Sequence, residues 1–204
     1  MIRNIIFDIG NVLVKYDWKT YLESFGFSEE KNDRLAQALF LGEEWKELDR
    51  GAIPEEEIKS RILEKNKEEA ADILTLYAKL EDTIHKEAFA KPWIYKYREE
   101  GYRLYYLSNY SERIRHLTEE ALDFIPEMDG GLFSYEVKLI KPDPAIYREF
   151  LRRYPEVKPE ESVFLDDTLP NIETAQKLGF YGIRVKDHKQ AAEELQELLQ
   201  IHGK

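Results

Sequence analysis

The sequence predicts an α/β protein: a doubly wound parallel sheet carrying an inserted α-helical subdomain. Three observations carry that expectation. Four short apolar runs, Ile5 to Asp8, Leu104 to Ser108, Val163 to Asp167 and Tyr181 to Val185, are rich in β-branched or aromatic residues and pass into polar or turn-forming ones. Continuous apolar runs of about five residues suit strands of a parallel sheet covered on both faces. Helical patterns lie between these runs, which is the alternation of a doubly wound fold. Finally, the first and second runs are separated by roughly ninety residues, far more than a simple crossover needs.

In chain order, Ile5 to Asp8 is the first strand. Residues 18 to 90 then show several helical patterns and no clear strand. Glu55 to Lys65 sets Ile58, Ile62 and Leu63 on one side, with Pro54 at its start. Glu69 to Leu80 groups Ile73, Leu74, Leu76, Tyr77 and Leu80. Leu104 to Ser108 is the second strand, and helices follow over Glu112 to Leu122 and Pro144 to Arg153. Val163 to Asp167 and Tyr181 to Val185 are the remaining strands. The last helix runs from Ala191 to Leu199, with Leu195, Leu198 and Leu199 sharing a face. The core is thus assigned to residues 1–15 and 91–204, and a helical cap to 16–90. In open α/β sheets ligands bind outside the carboxyl ends of the strands, so an insertion after the first strand is placed to act as a lid. The acidic run Glu55-Glu56-Glu57 and the charged stretch Lys65 to Glu69 read as solvated helix faces.

Composition narrows the function. The 204 residues are 43% hydrophobic and 13% aromatic, enough to bury a core and too apolar for a disordered chain. Thirty basic against 41 acidic residues leave a formal charge of −11, which argues against nucleic acid as a partner. A phosphorylated ligand would meet a repulsive field and needs local positive charge. The absence of cysteine excludes a disulfide framework, a thiolate nucleophile and a cysteine-ligated zinc. The apolar N-terminal run meets Asp8 too soon for a signal peptide, and no stretch approaches the ~18 apolar residues that span a bilayer. A soluble, cytoplasmic protein without a membrane partner is expected, and its oligomeric state stays open.

Polar residues gather at the strand ends. Asp8 closes the first, Ser108 and Asn109 the second, and Asp166 with Asp167 the third, while Lys141 lies in the loop before Pro142. A lone acid at a strand end is ordinarily a turn former or helix cap, and Ser-Asn after a strand is an ordinary N-cap. Together and in this order they describe a site. Three carboxylates in one crevice repel and tend to protonate; a hard divalent cation relieves them, and oxygen-only ligands favour magnesium.

These residues resemble the four motifs of the haloacid dehalogenase superfamily, in order along nearly the whole chain. Asp8-Ile9-Gly10-Asn11-Val12 resembles the first, whose leading Asp is the nucleophile. Leu107-Ser108-Asn109 resembles the second, whose hydroxyl binds the phosphoryl group. Ile140-Lys141-Pro142-Asp143 resembles the third, whose Lys neutralises nucleophile and phosphate. Phe164-Leu165-Asp166-Asp167, with Asn171, resembles the acidic fourth. The helical insert sits where the family places its cap. The resemblance implies a Rossmann-like core and a Mg2+-dependent phosphatase acting on small phosphorylated metabolites through an aspartyl phosphate. Asp8, Ser108 and Lys141 would be catalytic, and Ser108, Asn109 and Lys141 would hold the phosphoryl group. Metal ligands would be Asp8, the Gly10 carbonyl and Asp167, with Asp166 acting directly, through water or through Lys141.

One position departs from the pattern. Most family phosphatases carry a general acid two residues after the nucleophile, and here that residue is Gly10. Catalysis has been lost, or the acid comes from the cap or solvent, or the substrate has a good leaving group. The Asp-x-Gly-Asn form resembles a bacterial branch that includes α-D-glucose-1-phosphate phosphatases, which fits a sugar 1-phosphate. Within the cap, Arg50 at the break before Gly51, together with Tyr16, Asp17, Trp18 and Trp45, are candidates for substrate contact, although both tryptophans suit the cap's own core. The rival readings are a metal-independent 2-haloacid dehalogenase, which leaves Asp166-Asp167 without a purpose, and a catalytically impaired phosphometabolite-binding module. A receiver domain would place its acidic pair near the N-terminus, whereas here it comes last.

Overall fold

In the computed structural model, which describes residues 1–202, the apolar runs become strands of a single parallel sheet. β1 (Asn4–Phe7) leads through β2 (Val14–Tyr16) into α1 (Trp18–Glu23), α2 (Glu29–Leu39), α3 (Glu43–Arg50), α4 (Glu55–Lys65) and α5 (Ala70–Tyr77). The chain returns through β3 (Ile84–Lys86) to α6 (Ala90–Glu99), β4 (Arg103–Ser108) and α7 (Glu112–Leu117). Then come β5 (Gly130–Phe133), α8 (Ser134–Val137), α9 (Pro144–Arg153), β6 (Ser162–Asp166), α10 (Leu169–Lys177), β7 (Tyr181–Arg184) and α11 (His188–His202). The strand order is β5-β4-β1-β6-β7, every neighbour parallel.

Both faces are dry, as the continuous apolar runs require. Ile5, Phe7, Leu104, Val163 and Leu165 share one apolar cluster with Trp93, Ile94 and Tyr97 of α6 and Ala191, Leu195 and Leu199 of α11. The alternate residues Ile6, Tyr105, Leu107 and Phe164 join Ile146, Tyr147 and Phe150 of α9 and Ile172 and Ala175 of α10. The chain steps outward from β1 to β4 and β5, then returns to the other side of β1 with β6. That reversal sits at the carboxyl ends of β1 and β6, where an open sheet forms its crevice.

The structure departs from the sequence reading in three places. The sheet has a fifth strand, β5, whose opening Gly130-Gly131 reads as a turn. Gly131 is needed because the Tyr106 ring lies across it, 2.2 Å from where a Cβ would stand. The interval expected to lack strands contains β3, which pairs antiparallel with β2 from Val14↔Lys86 to Tyr16↔Ile84 and makes a two-stranded stem. Three residues are too few for any periodicity to register. Finally, the helix expected to reach Leu122 ends at Leu117, where the Thr118 hydroxyl donates back to the Ile114 carbonyl at 2.7 Å. Among the described residues no helix is long and apolar enough to cross a membrane.

Candidate active site

Sheet register brings the polar residues together. Phe7 pairs with Tyr106 on one side and Leu165 on the other, so Asp8 emerges level with the ends of β4 and β6. The Asp8 amide continues the ladder to the Leu165 carbonyl at 2.8 Å. Its Oδ1 accepts from the Ser108 hydroxyl at 2.6 Å and from the Ile9 amide at 2.7 Å, and lies 2.9 Å from Lys141 Nζ. Among the described residues Oδ2 accepts no hydrogen bond.

Lys141 is buried and also reaches Asp166 Oδ2 at 2.6 Å. Burial works against its ammonium, but the charges of Asp166 and Asp8 and their hydrogen bonds outweigh this and leave its pKa raised. Asp166 is wholly buried. Besides Lys141 it accepts from the Thr168 amide at 2.8 Å and from the Asn171 amide, at 3.0 Å to each oxygen. Burial raises its pKa, yet this is the donor set of an ionised carboxylate, with Lys141 pulling the other way. The Lys141 loop is clamped to the end of β4. Asn109 Nδ2 donates to the Lys141 carbonyl at 3.0 Å while its Oδ1 accepts the Lys141 amide at 2.8 Å.

Oxygens of Asp8, Asp166 and Asp167 lie within 4.8 Å of one another. Asp167 is half-buried, and its pKa is raised by burial and then by the Asp8 charge. Asn11, held at φ +56°, donates from Nδ2 to Asp167 Oδ2 at 3.0 Å and ties the loop after β1 to the end of β6. Converging carboxylates with no nitrogen or sulfur ligand among them suit a hard divalent cation, and magnesium fits this donor set.

Beside these groups lies a cavity of about 320 Å³, bordered on its other side by residues of the inserted helices. Its wall comprises Asp8, Gly10, Asn11, Asn109 and Asp167 from the core, with Tyr16, Trp18, Trp45 and Asp49 from the cap side. Each tryptophan serves twice: Trp45 stacks on Tyr16 at 5.8 Å and Trp18 on Phe40 at 5.5 Å, while both also line the cavity. Ser108, Lys141 and Asp166 lie behind that wall, buried, and two of the candidates for substrate contact also lie outside it. Asp17 caps α1 by accepting the Thr20 amide at 3.2 Å and pairs with Lys15. Arg50 turns back to Glu47 at 3.1 Å. Its neighbour Asp49, which sequence reasoning missed, does line the cavity, alongside Tyr16, Trp18 and Trp45. Trp45 and Asp49 stand four apart and so share a helix face, but the sequence does not say which face of α3 turns to the site.

The description haloacid dehalogenase-like hydrolase matches residues 2–179. The drimenol cyclase of Aspergillus calidoustus is 24% identical over 186 residues, covering 90% of this chain but only 34% of that enzyme, so the chain spans about a third of its length. The D-ribitol-5-phosphate phosphatase of Bacteroides thetaiotaomicron is 24% identical over 223 residues, 98% of this chain and 99% of that one. A HAD family enzyme from Bacteroides thetaiotaomicron, solved with magnesium and inorganic phosphate, superposes with a TM-score of 0.71 at 23% identity, covering 97% of this chain and 99% of that one. At that identity the likeness is one of fold. The family match, extending over most of the sheet, its three polar strand ends and the Lys141 loop, makes this chain a member of the haloacid dehalogenase-like hydrolases.

Proposed function

We propose that this hydrolase is a magnesium-dependent phosphatase of small phosphorylated metabolites that works through an aspartyl phosphate on Asp8. The observation that carries the reading is the Asp8 carboxylate itself. Three donors fix Oδ1 while Oδ2 accepts no hydrogen bond among the described residues, and Asp8 belongs both to the acidic cluster and to the cavity wall. A carboxylate so oriented attacks phosphorus in line and splits one displacement into two. The Ser108 hydroxyl and the Lys141 ammonium, which hold Asp8, would stabilise the charge that spreads onto the phosphoryl oxygens. Asp8, Asp167, the Gly10 carbonyl and, directly or through water, Asp166 would hold magnesium, which supplies positive charge for the nucleophile and the phosphoryl oxygens. Asn109 keeps Lys141 in place through its backbone.

The cavity volume and its walls of Tyr16, Trp18 and Trp45 favour a compact leaving group with both apolar and hydroxyl-bearing faces, which points to sugar or polyol phosphates. The relatives support phosphate chemistry, since one matched along its full length is a D-ribitol-5-phosphate phosphatase. In a metal-independent dehalogenase, Asp167 would stay raised by burial and by Asp8, offset only in part by the Asn11 and Thr168 hydrogen bonds and by Lys141.

The test is phosphate release from sugar 1-phosphates, sugar 6-phosphates, acetyl phosphate and para-nitrophenyl phosphate. Turnover is expected with magnesium, is lost with EDTA and restored by added metal, and disappears in a folded Asp8→Asn variant. Full activity in Asp8→Asn, or indifference to chelation, would end this reading.

A further inference from the structure

The cavity holds one acid that the chemistry above leaves unused. Asp49, in the last turn of α3, lines the same cavity as Asp8, and among the described residues its carboxylate takes part in no hydrogen bond or ion pair. Its backbone is fixed from the core. The Ser134 hydroxyl at the start of α8 donates to the Asp49 carbonyl and also accepts the Tyr110 amide at 2.9 Å. Gly51 ends α3 at φ +63°, where a Cβ would stand 2.9 Å from Tyr135 Cβ and 3.1 Å from Tyr135 Cα. The cap thus carries Asp49, but a close docking onto α8 sets its position. The nearby Tyr16 hydroxyl is also buried without a partner.

Gly10 completes the observation. Its φ is not left-handed, and a Cβ there would meet nothing within 4 Å. Neither backbone nor packing therefore demands glycine where the family's general acid stands, and the space left open is part of the cavity that Asp49 faces.

We propose that Asp49 is the general acid and base of this site, supplied by the cap in place of a side chain at position 10. The proposal rests on the phosphatase reading. In the first step an Asp8 oxygen bonds to phosphorus, the bond from phosphorus to the leaving oxygen breaks, and the Asp49 carboxyl passes its proton to that oxygen, releasing the alcohol. In the second step the Asp49 carboxylate takes a proton from water as the water oxygen bonds to phosphorus. The bond from phosphorus to Asp8 then breaks and inorganic phosphate leaves. Both enzymatic groups end as they began.

The ionisable groups facing Asp49 are Asp8 and Lys141 from the core, with Tyr16 and Tyr110 beside it. Burial, and then the Asp8 charge, push the Asp49 carboxyl up to about 7 against the pull of Lys141, so it exchanges a proton near neutrality.

The test compares wild type, Asp49→Asn and Asp49→Glu in magnesium, following the first turnover of para-nitrophenyl phosphate and of a sugar 6-phosphate. The alkyl leaving group of the sugar needs a proton and the nitrophenolate hardly does. In Asp49→Asn, phosphoryl transfer from the sugar phosphate is expected to fall by about 10²- to 10⁴-fold. Release of the first nitrophenolate should persist as a burst of one equivalent, with aspartyl phosphate accumulating on Asp8 because its hydrolysis lacks a base. Asp49→Glu should restore part of the sugar-phosphate rate. Equal slowing of both substrates without a burst would make Asp49 a structural residue and overturn the proposal, as would an unchanged sugar-phosphate rate. A wild type silent on every phosphoester would remove the phosphatase reading and this proposal with it. An active wild type beside a burst-free Asp49→Asn removes this proposal alone.

Discussion

Replacing Lys141 with Met keeps the volume of the side chain and removes the ammonium that stands 2.9 Å from Asp8 and 2.6 Å from Asp166. Removing one partner of a buried ion pair costs about 3–5 kcal/mol, because the remaining charge is left in a poor solvent. Asp166 is wholly buried and keeps the Asn171 and Thr168 amides, whereas Asp8 borders the cavity and can draw on water. The lower end of the range, about 3 kcal/mol, is therefore the working figure. For a chain of this size that lowers the thermal midpoint by roughly 6–12 °C. The assay is thermal or urea unfolding of both proteins in EDTA at pH 8 and pH 5.5. Without the ammonium, which lowers the raised pKa of Asp166 in the folded protein, that pKa rises further above its unfolded value. The folded variant then binds protons that the unfolded chain does not, so its deficit should be largest at pH 8 and shrink as the pH falls. A deficit below about 1 kcal/mol at pH 8, the size of an exposed pair, would refute the argument, and so would a deficit independent of pH.

Two further outcomes test how the cap is seated. Gly51→Ala combines left-handed backbone strain with a Cβ 2.9 Å from Tyr135 Cβ, so a loss of about 2–4 kcal/mol is expected in urea unfolding. The same change should lower sugar-phosphate turnover more than it alters magnesium affinity, because it displaces Asp49 and leaves the Asp8 cluster alone. Asp49→Asn should stabilise the protein in EDTA at pH 8. Its pKa is raised from 3.8 to about 7, so the wild type loses stability as the pH climbs between those values and the variant does not. Linkage sets a ceiling of about 4 kcal/mol, and the open cavity wall reduces the expectation to about 2 kcal/mol. Equal melting differences at pH 8 and pH 4 would count against a raised Asp49.

The sequence by itself determined β1, β4, β6 and β7, because strands buried on both faces advertise themselves locally as unbroken apolar runs. It also placed Asp8, Ser108, Asp166 and Asp167, since each stands directly at the end of such a run, where the crevice of an α/β sheet must lie. β5 and β3 escaped it for local reasons: one opens on two glycines and the other is three residues long. Helix α3 shows what only the tertiary structure could decide. Arg50 and Asp49 are adjacent, yet a single residue step turns a helix by about 100°, and that step separates a surface pair with Glu47 from the cavity wall. Which of the two faces inward depends on how α3 docks on Ser134 and Tyr135, more than eighty positions away in the chain. Asp17 likewise reads as a polar candidate in sequence but is consumed by capping α1. The Asn109 clamp on Lys141 and the Asn11 tether to Asp167 join strand ends and loops far apart in sequence. Such contacts leave no local periodicity. They exist only once burial of the sheet has closed those long loops and brought the strand ends into register.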